Sequence, residues 1–366
     1  MAKAKAVVVQ EASLSNIKYW IPTGIAPLDY GIGGGIPSGR IIEVYGNESV
    51  AKTSIALEFA KSFCEYHKAQ KNPYKVLYVE TEAALDKLRT KAMGVPVEEF
   101  EFYESQVLEP IFEKMLEVLK VCEASGTTCF IVLDTLAAAK CAVEFDEKNK
   151  YAGGMMLKPR VINDNLARLV RPLSATNSIL CLPNQAYAGQ KGGLIAKGGM
   201  GPKYYSSIRM ELSKGFNYKS LTATGEEVSL GIGVVIKTVK NKVFLPQQEV
   251  TLILRGERGV DKIETLVFFL TQKELITLAG SWKKIKYKDK EITFQSAKKL
   301  KELIVTDPGI LDYLNFLVLQ YFASFSQLMK IRFIEDIWRN EELFMGGKKT
   351  KLTEEEILIH EYAKTM

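Results

Sequence analysis

The residues with the clearest chemical meaning in this sequence form one short loop at positions 46–53. Their spacing approximates G-x-x-x-x-G-K-[ST], in which backbone N–H groups wrap phosphates and the lysine reaches the terminal ones. The threonine hydroxyl helps to hold Mg²⁺, and the start of the following helix adds its positive end. We therefore predict that the loop binds a nucleotide through these residues: Gly46, Asn47, Glu48, Ser49, Val50, Ala51, Lys52 and Thr53.

One position departs from this pattern, because Ala51 stands where the second glycine is usual. If Ala51 adopts helical dihedral angles, its Cβ costs little; if the position requires a positive φ, the phosphate site is damaged. The alternative interpretation of the loop is a tight turn between a strand and a helix, with Lys52 merely solvated.

The flanking sequence supplies the elements that must position such a loop. An apolar run at residues 41–45 predicts a buried parallel strand, and residues 53–68 carry apolar side chains at helical spacing. Further apolar runs predict the neighbouring strands: residues 76–79, 129–133 and 178–182. Strands that alternate with helices in this way predict an α/β fold.

Polar side chains follow each of these predicted strands. Asp134 follows the run 129–133, and we predict that its carboxylate holds the Mg²⁺ shell, as the corresponding carboxylate does in nucleotide hydrolases. Glu82 is placed to orient or deprotonate a water molecule that attacks a terminal phosphate, although an acidic helix cap is the simpler alternative. Gln185 could sense whether that phosphate is present, or it could be only a polar residue at a strand exit.

The composition places the chain among globular proteins. It has 366 residues, 47% of them hydrophobic and 25% charged, and no run approaches the roughly 18 apolar residues of a membrane span. The five cysteines form no C-x-x-C pair, so we predict reduced core cysteines in a protein with a cytoplasmic location. Because only two histidines occur, we predict no histidine-based metal site.

Two features favour a polyanionic partner. Residues 281–301 contain eight lysines and two acidic residues, so this segment alone matches the net charge of +6 of the whole chain. Residues 189–201 include six glycines together with Lys191 and Lys197, and we predict that this loop stays disordered until a sugar–phosphate chain binds it. The alternative in both places is a solvated surface.

Several motifs, in order, resemble the RecA family of recombinases: T-G-x-x-x-L-D from Thr23, P-x-G-R-I-x-E-x-Y-G from Pro37, T-E-x-A-L-D from Thr81 and K-N-K from Lys240. The resemblance extends over about residues 23–321. It implies a RecA-like P-loop ATPase core, with a mostly parallel central sheet flanked by helices, and a small C-terminal α/β lobe.

The resemblance also implies roles for individual residues. Glu82 would activate water, Asp86 would contact adenine, and Gln185 would report the γ-phosphate. Lys240 and Lys242 would reach the ATP of a neighbouring subunit. The implied cofactors are ATP and Mg²⁺, with the metal at Thr53 and Asp134.

Two DNA-binding loops are implied at about residues 144–160 and 187–205. Tyr204 matches an aromatic residue that couples subunits. The DNA-binding candidates, from the resemblance or from charge, are Met155, Arg160, Lys191, Lys197, Gly198, Gly199 and Lys203.

The predicted domain organisation has four parts: an N-terminal oligomerisation arm at 1–20, the ATPase core at 21–262, a basic lobe for duplex DNA at 263–326, and a divergent extension at 327–366. The resemblance implies a homo-oligomeric filament on single-stranded DNA that pairs with double-stranded DNA and exchanges strands. Two alternatives remain open: a ring-shaped hexameric DNA motor, and a nucleotide-regulated DNA-binding protein with weak turnover.

Overall fold

The computed structural model describes residues 17–145, 156–189, 193–221, 226–288 and 290–326. The helices are α1 (Ala26–Ile32), α2 (Lys52–Gln70), α3 (Lys87–Ala92), α4 (Leu108–Ser125), α5 (Leu157–Thr176), α6 (Gly201–Tyr205), α7 (Lys262–Gln272), α8 (Ala297–Thr306) and α9 (Gly309–Ala323). The first strands are β1 (Trp20–Ile21), β2 (Ile36–Pro37), β3 (Ile41–Gly46), β4 (Tyr74–Glu80), β5 (Phe100–Glu104), β6 (Thr128–Asp134), β7 (Ile179–Ala188) and β8 (Leu194–Ala196). The remaining strands are β9 (Ile208–Leu221), β10 (Glu227–Asn241), β11 (Glu249–Arg255), β12 (Gly259–Val260), β13 (Thr277–Ala279), β14 (Trp282–Tyr287) and β15 (Lys290–Phe294).

The main sheet has the order β12-β11-β10-β9-β3-β7-β6-β4-β5, and β8 pairs with the end of β7. Strands β9, β3, β7, β6, β4 and β5 pair in parallel, whereas β10, β11 and β12 add antiparallel neighbours at one side. This arrangement confirms the predicted α/β class with a mostly parallel sheet.

Helices cover both faces of the sheet because the inner strands are apolar on both sides. On β6, Phe130 and Val132 face the core that α2 covers, while Ile131 and Leu133 face the core that α4 and α5 cover. All four side chains are fully buried. Two apolar layers therefore hold the parallel strands in register beneath the site.

The parallel register brings the carboxyl ends of four strands to one edge of the sheet. Gly46 at the end of β3 lies opposite Gln185 on β7, and Glu80 at the end of β4 lies opposite Asp134 on β6. Ligands of open α/β sheets bind outside such carboxyl ends. We call the polar group assembled there, namely Lys52, Thr53, Glu82, Asp134 and Gln185, the nucleotide edge.

A smaller C-terminal unit contains α7, α8, α9 and the sheet β13-β14-β15 around its own apolar core. We call strands β14 and β15 with their turn the basic hairpin. Lys301 on α8 pairs with Asp261, the residue that caps α7, at 3.0 Å. Most of the predicted arm, residues 1–16, and the predicted extension, residues 327–366, lie outside the described residues.

The two predicted DNA loops are more regular than the sequence suggested. The helix α5 begins at Leu157, and a 3-10 turn covers Ala142–Phe145, so only residues 146–155 of the first loop lie outside the description. In the second loop, β8 pairs with β7, and α6 follows at Gly201–Tyr205. The prediction that the glycine-rich segment 189–201 stays disordered until a partner binds is therefore wrong for residues 193–201.

Close packing against α5 explains why the described part of the second loop is ordered. A Cβ at Gly199, where φ is +78°, would lie 2.8 Å from Pro159 at the start of α5. Because glycine has no Cβ, the loop can approach α5 closely here and adopt the left-handed backbone. The glycines thus allow the described part of the loop to pack against the core.

The remaining composition-based predictions concern cysteines, metals and membranes. All five cysteines are free and buried, as predicted: Cys64, Cys122, Cys129, Cys141 and Cys181. Within the described ranges, no group of three or more His, Cys, Asp or Glu side chains could hold a metal ion. The helices described here are each too short or too polar to cross a membrane.

Candidate nucleotide site

The phosphate loop lies between β3 and α2, as predicted. The ammonium of Lys52 donates a hydrogen bond to the carbonyl of Asn47 at 2.6 Å, so the lysine folds back over the loop. A Cβ at Gly46 would lie 2.4 Å from the carbonyl oxygen of Leu212, which restricts the last residue of β3 to glycine. These contacts give the loop a defined path around its lysine.

Ala51 adopts the unfavourable one of the two conformations considered from the sequence. Its φ is 64° and its ψ is 27°, which is the left-handed region that favours glycine. A non-glycine residue in this region costs roughly 1–2 kcal/mol. The strain is local, because α2 still begins at the next residue, Lys52.

Asp134 is held at the centre of the nucleotide edge. Its Oδ2 accepts hydrogen bonds from the Thr53 hydroxyl at 2.7 Å and from the Tyr78 hydroxyl at 2.7 Å. Only 7% of its surface is exposed. The peptide bond from Asp134 to Thr135 is cis.

The electrostatics of the edge suit a cation and an anion together. Burial raises the pKa of Asp134, and the nearby charges of Glu80 and Glu82 act in the same direction. Burial lowers the pKa of Lys52. A divalent cation would favour ionised Asp134, and phosphates would favour protonated Lys52. A hydroxyl and a carboxylate are also the oxygen ligands that Mg²⁺ accepts, so this donor set fits a Mg²⁺–nucleotide complex.

Glu82 is oriented by two donors. The Thr135 hydroxyl donates to Glu82 Oε1 at 2.7 Å, and Gln185 Nε2 donates to the same oxygen at 3.3 Å. Among the described residues, no hydrogen bond reaches the other carboxylate oxygen, Oε2. This arrangement fixes the carboxylate and leaves one oxygen to accept a proton from water. Glu82 caps no helix, so the simpler alternative does not apply to it.

A buried ion pair lies beneath Gln185. Arg209 Nε and Glu43 Oε2 are 2.5 Å apart, and the glutamate side chain is fully buried. Asn184 Nδ2 donates to Glu43 Oε1 at 2.9 Å. Because Asn184 precedes Gln185 on β7, this pair anchors the strand end that presents the glutamine.

Asp86 caps α3 instead of pointing freely toward a ligand. Its Oδ1 accepts from the backbone N–H groups of Leu88 at 2.9 Å and Arg89 at 3.1 Å. It also lines a small cavity of about 120 Å³ that reaches Thr53 and Asp134. The helix-cap role is observed, and the adenine contact remains a prediction.

A cavity of about 630 Å³ lies over the nucleotide edge. Its lining combines phosphate-loop and strand-end residues with Arg89 and residues of the segment from β10 to β12: Glu48, Ser49, Ala51, Lys52, Thr53, Ser54, Glu82, Arg89, Thr135, Gln185, Gly231, Ile232, Leu254, Gly256 and Gly259. The volume is in the range typical of small-molecule and cofactor sites.

The two predicted interface lysines lie together, away from this cavity. Lys240 Nζ donates to the carbonyls of Lys203 at 2.5 Å and Tyr204 at 3.1 Å, and Lys242 Nζ lies 3.5 Å from the same Tyr204 carbonyl. Burial, and the charges of Lys242, Arg209 and Lys203, lower the pKa of Lys240 to about 8. Within one chain they therefore bind the end of α6.

The predicted DNA-binding residues lie in different environments. Arg160 is exposed and lies 3.7 Å from Asp164 on the same helix. Lys203 and Tyr204 are exposed on α6, and Lys197 contacts Gln185. Gly198 and Gly199 both have positive φ, and Met155 and Lys191 lie outside the described residues.

Several residues of the site were not identified from the sequence. Tyr78 looked like an ordinary apolar-strand residue, although a buried tyrosine hydroxyl needs a partner. Glu43 gave a similar signal, because a carboxylate within the apolar run 41–45 requires a cation nearby. Nothing local indicated that Asp134 would accept from Tyr78, or that Arg209 would be the cation beside Glu43. The donation from Thr135 to Glu82 was likewise not predicted.

Comparison with known proteins places this geometry in a family context. The model of the RecA N-terminal domain matches residues 3–261. Protein RecA of Fusobacterium nucleatum is 31% identical over 309 residues, which cover 82% of this chain and 76% of the relative. Protein RecA of Thermus aquaticus is 32% identical over 310 residues, covering 82% and 84%, and that of Clostridioides difficile is 30% identical over 289 residues, covering 76% and 77%.

Proposed function

The chain belongs to the RecA family, and from this premise we propose that it is an ATP-dependent DNA recombinase. It would hydrolyse ATP in response to DNA, form helical filaments on single-stranded DNA, and exchange strands with a homologous duplex. The observation that carries this proposal is that Lys52, Glu82 and Gln185, from three different segments, line one cavity of about 630 Å³, while Asp134 accepts a hydrogen bond from Thr53 in the same lining.

In the proposed reaction, the phosphate loop and Lys52 hold the terminal phosphates of ATP and offset their charge. Mg²⁺, when bound at Thr53 and Asp134, would neutralise charge that develops on the phosphate oxygens. Glu82 orients the attacking water and accepts its proton, since Thr135 and Gln185 fix the carboxylate from one side. Each of these roles for a side chain is proposed, and the family membership supports it.

The Lys240–Lys242 pair supports a site that a neighbouring subunit completes. Both ammonium groups lie at the end of α6, and Lys240 has its pKa lowered to about 8 by burial and by nearby cations. A cationic pair of this kind is stabilised when phosphates approach it. We propose that it acts on the ATP of the next subunit, as an arginine finger does in trans.

DNA is proposed to bind along two surfaces. The second loop contributes Lys197, Lys203 and the backbone of Gly198 and Gly199 to single-stranded DNA. The basic hairpin contributes exposed lysines to duplex DNA, because its segment has a strong excess of positive charge. Arg160, at the start of α5, would meet the backbone near the first loop.

Negative-stain electron microscopy tests this function directly. Protein mixed with a non-hydrolysable ATP analogue and single-stranded DNA is expected to form helical filaments, and omission of either ligand should reduce them. Closed rings under the same conditions would favour a hexameric motor and contradict the recombinase. A strand-exchange assay with a homologous and a non-homologous duplex then tests pairing itself.

The left-handed conformation of Ala51 favours one second candidate, a nucleotide-regulated DNA-binding protein with weak turnover. If the strained residue misplaces the loop N–H groups, ATP would bind and regulate assembly without efficient hydrolysis. Ala51→Gly separates the two functions. A large gain in DNA-stimulated hydrolysis would favour the weak-turnover protein, whereas a change of less than about threefold would favour the enzyme.

A further inference from the structure

Lys197 lies at the point where the second loop meets the nucleotide edge, and its backbone is fixed there. It directly follows β8, which pairs with β7. Its N–H donates to the carbonyl of Gln185 at 2.8 Å, and its own carbonyl accepts from Asn184 Nδ2 at 2.7 Å. The position of this lysine is therefore set by β7 and not by the solvent-facing part of the loop.

The side chain of Lys197 turns back onto the same glutamine. Lys197 Nζ donates to Gln185 Oε1 at 2.8 Å, and Gln185 Nε2 donates to Glu82 Oε1 at 3.3 Å. An ammonium group only donates hydrogen bonds, so it selects the carboxamide orientation in which the oxygen faces the loop. The amide nitrogen must then face the carboxylate of Glu82, which only accepts when ionised.

Two other described cations of the loop region behave differently. Arg160 pairs with Asp164 one helical turn away, and the exposed ammonium of Lys203 has no partner among the described residues. Lys197 alone among these three contacts a member of the nucleotide edge. Its charge alone does not explain this contact; the two backbone hydrogen bonds do.

We propose that Lys197 is a positioning residue, which orients the Gln185 carboxamide and through it the water-facing carboxylate of Glu82. The inference rests on the proposed ATPase function and adds a regulatory connection to it. The ammonium has three N–H donors and uses one on Gln185, so it can bind a DNA phosphate while it keeps the glutamine in place. Lys197 thereby joins the DNA strand to the hydrolytic site through one side chain.

A double-mutant cycle tests this role in hydrolysis. At saturating single-stranded DNA, Lys197→Met is expected to lower kcat roughly tenfold with little change in KM for ATP, because a hydrogen bond to a charged group is lost. Gln185→Ala should lower kcat as well, and the double variant should be no slower than Gln185→Ala alone. Lys197→Arg keeps a donor and should recover most of the activity.

Lys203→Met is the matched control, since it removes a cation of the same loop that has no contact with Gln185. It should weaken DNA binding and combine multiplicatively with Gln185→Ala. If Lys197→Met also combines multiplicatively, or regains the wild-type kcat once DNA is saturating, Lys197 is only a phosphate ligand and the proposal is wrong.

Acetylation of the free protein by a lysine-directed reagent, followed by peptide mass spectrometry, tests the contact without any activity. Gln185→Ala should speed acetylation of Lys197 several-fold, because the ammonium loses its hydrogen bond to the carboxamide oxygen, and should leave acetylation of Lys203 unchanged. Equal rates at Lys197 in both proteins would overturn the inference. Absence of DNA-stimulated hydrolysis in the wild type would instead count against the proposed function, so the two failures are distinguishable.

Discussion

The nucleotide edge and the basic hairpin both present charged side chains, but they hold them in opposite ways. At the nucleotide edge, Asp134 is buried and accepts hydrogen bonds from two hydroxyls. In the basic hairpin, Lys284 pairs with Glu291 at 2.9 Å while both side chains stay substantially exposed. Bond-making chemistry needs fixed geometry, whereas attraction of a polyanion needs only charge near a surface.

This difference predicts the size of mutational effects. Loss of one group from the nucleotide edge should remove a specific interaction that nothing else replaces. Loss of one lysine from the basic hairpin should remove only one of the many positive charges that together attract DNA.

The largest expected effect is that of Lys52→Ala. Since Lys52 is the only basic residue in the phosphate loop, ATP hydrolysis should fall at least about 100-fold, as when one charge-stabilising group is removed from an active site. Lys68→Ala, near the exposed end of the same helix, is the control and should stay within about twofold of the wild type. Thermal unfolding confirms that both proteins fold. Normal turnover by folded Lys52→Ala would refute the phosphate-loop assignment.

The second comparison sets a buried ion pair against an exposed one. Arg209→Met leaves Glu43 buried without its cation, and the free energy of unfolding should fall by about 3–5 kcal/mol. Lys284→Met breaks the exposed pair with Glu291 and should cost about 1 kcal/mol or less. Denaturant titration measures both. Equal losses would show that burial does not separate the two regions.

The third prediction concerns a titrating group on α2, the helix that begins with Lys52. His67 is buried among aromatic rings, neither ring nitrogen has a hydrogen-bond partner in the described part of the chain, and burial lowers its pKa to about 4. The unfolded chain binds a proton near pH 6.5 and the folded one only near pH 4. The stabilisation is therefore complete above pH 6.5 and is lost progressively as the pH falls to about 4.

The expected loss reaches about 3 kcal/mol of unfolding free energy. His67→Phe keeps the aromatic packing without the titration, so the difference in stability between the two proteins should change with pH only in this window. A difference that is independent of pH between 4 and 7 would mean that His67 titrates normally.

The smallest effect is expected in the basic hairpin. Lys286→Ala should weaken duplex binding only a few-fold and flatten the slope of log K against log salt by about 0.9. Lys120→Ala on α4, an exposed lysine outside the lobe, should leave the slope unchanged. Titrations at several salt concentrations provide the measurement. A tenfold or larger loss for Lys286→Ala would indicate a specific site.

Local patterns in the sequence were enough to predict four inner strands of the sheet, the helix after the phosphate loop and the residues at the strand ends. The phosphate loop, Glu82, Asp134 and Gln185 were identified because each follows an apolar run that is easily recognised. Parallel pairing then brings such ends together whatever the intervening sequence is. Family resemblance supplied the roles.

Interactions between distant residues could not be predicted in the same way. The pairing of Glu43 with Arg209 depends on the register of β3 against β9, and that of Asp134 with Tyr78 on the register of β6 against β4. The sequence analysis did not predict that the second loop is ordered, because its glycine content indicated flexibility. In the structure, glycine at position 199 instead permits close packing against α5.

The central claim is that the ATP site is complete only between two subunits, and mixing two inactive variants tests it most directly. Lys240→Ala/Lys242→Ala lacks the proposed trans cations, and Glu82→Gln lacks the proposed base. Each protein alone should bind ATP and hydrolyse it poorly with single-stranded DNA. Folding and co-assembly are checked for both before mixing.

At a one-to-one ratio, random head-to-tail assembly places an intact glutamate opposite intact lysines at about one interface in four. Hydrolysis should therefore recover to about a quarter of the wild-type rate and fall when either variant is in excess. If the two variants are folded and co-assemble, yet no ratio restores hydrolysis, the lysines do not complete a neighbour's site and the account is contradicted.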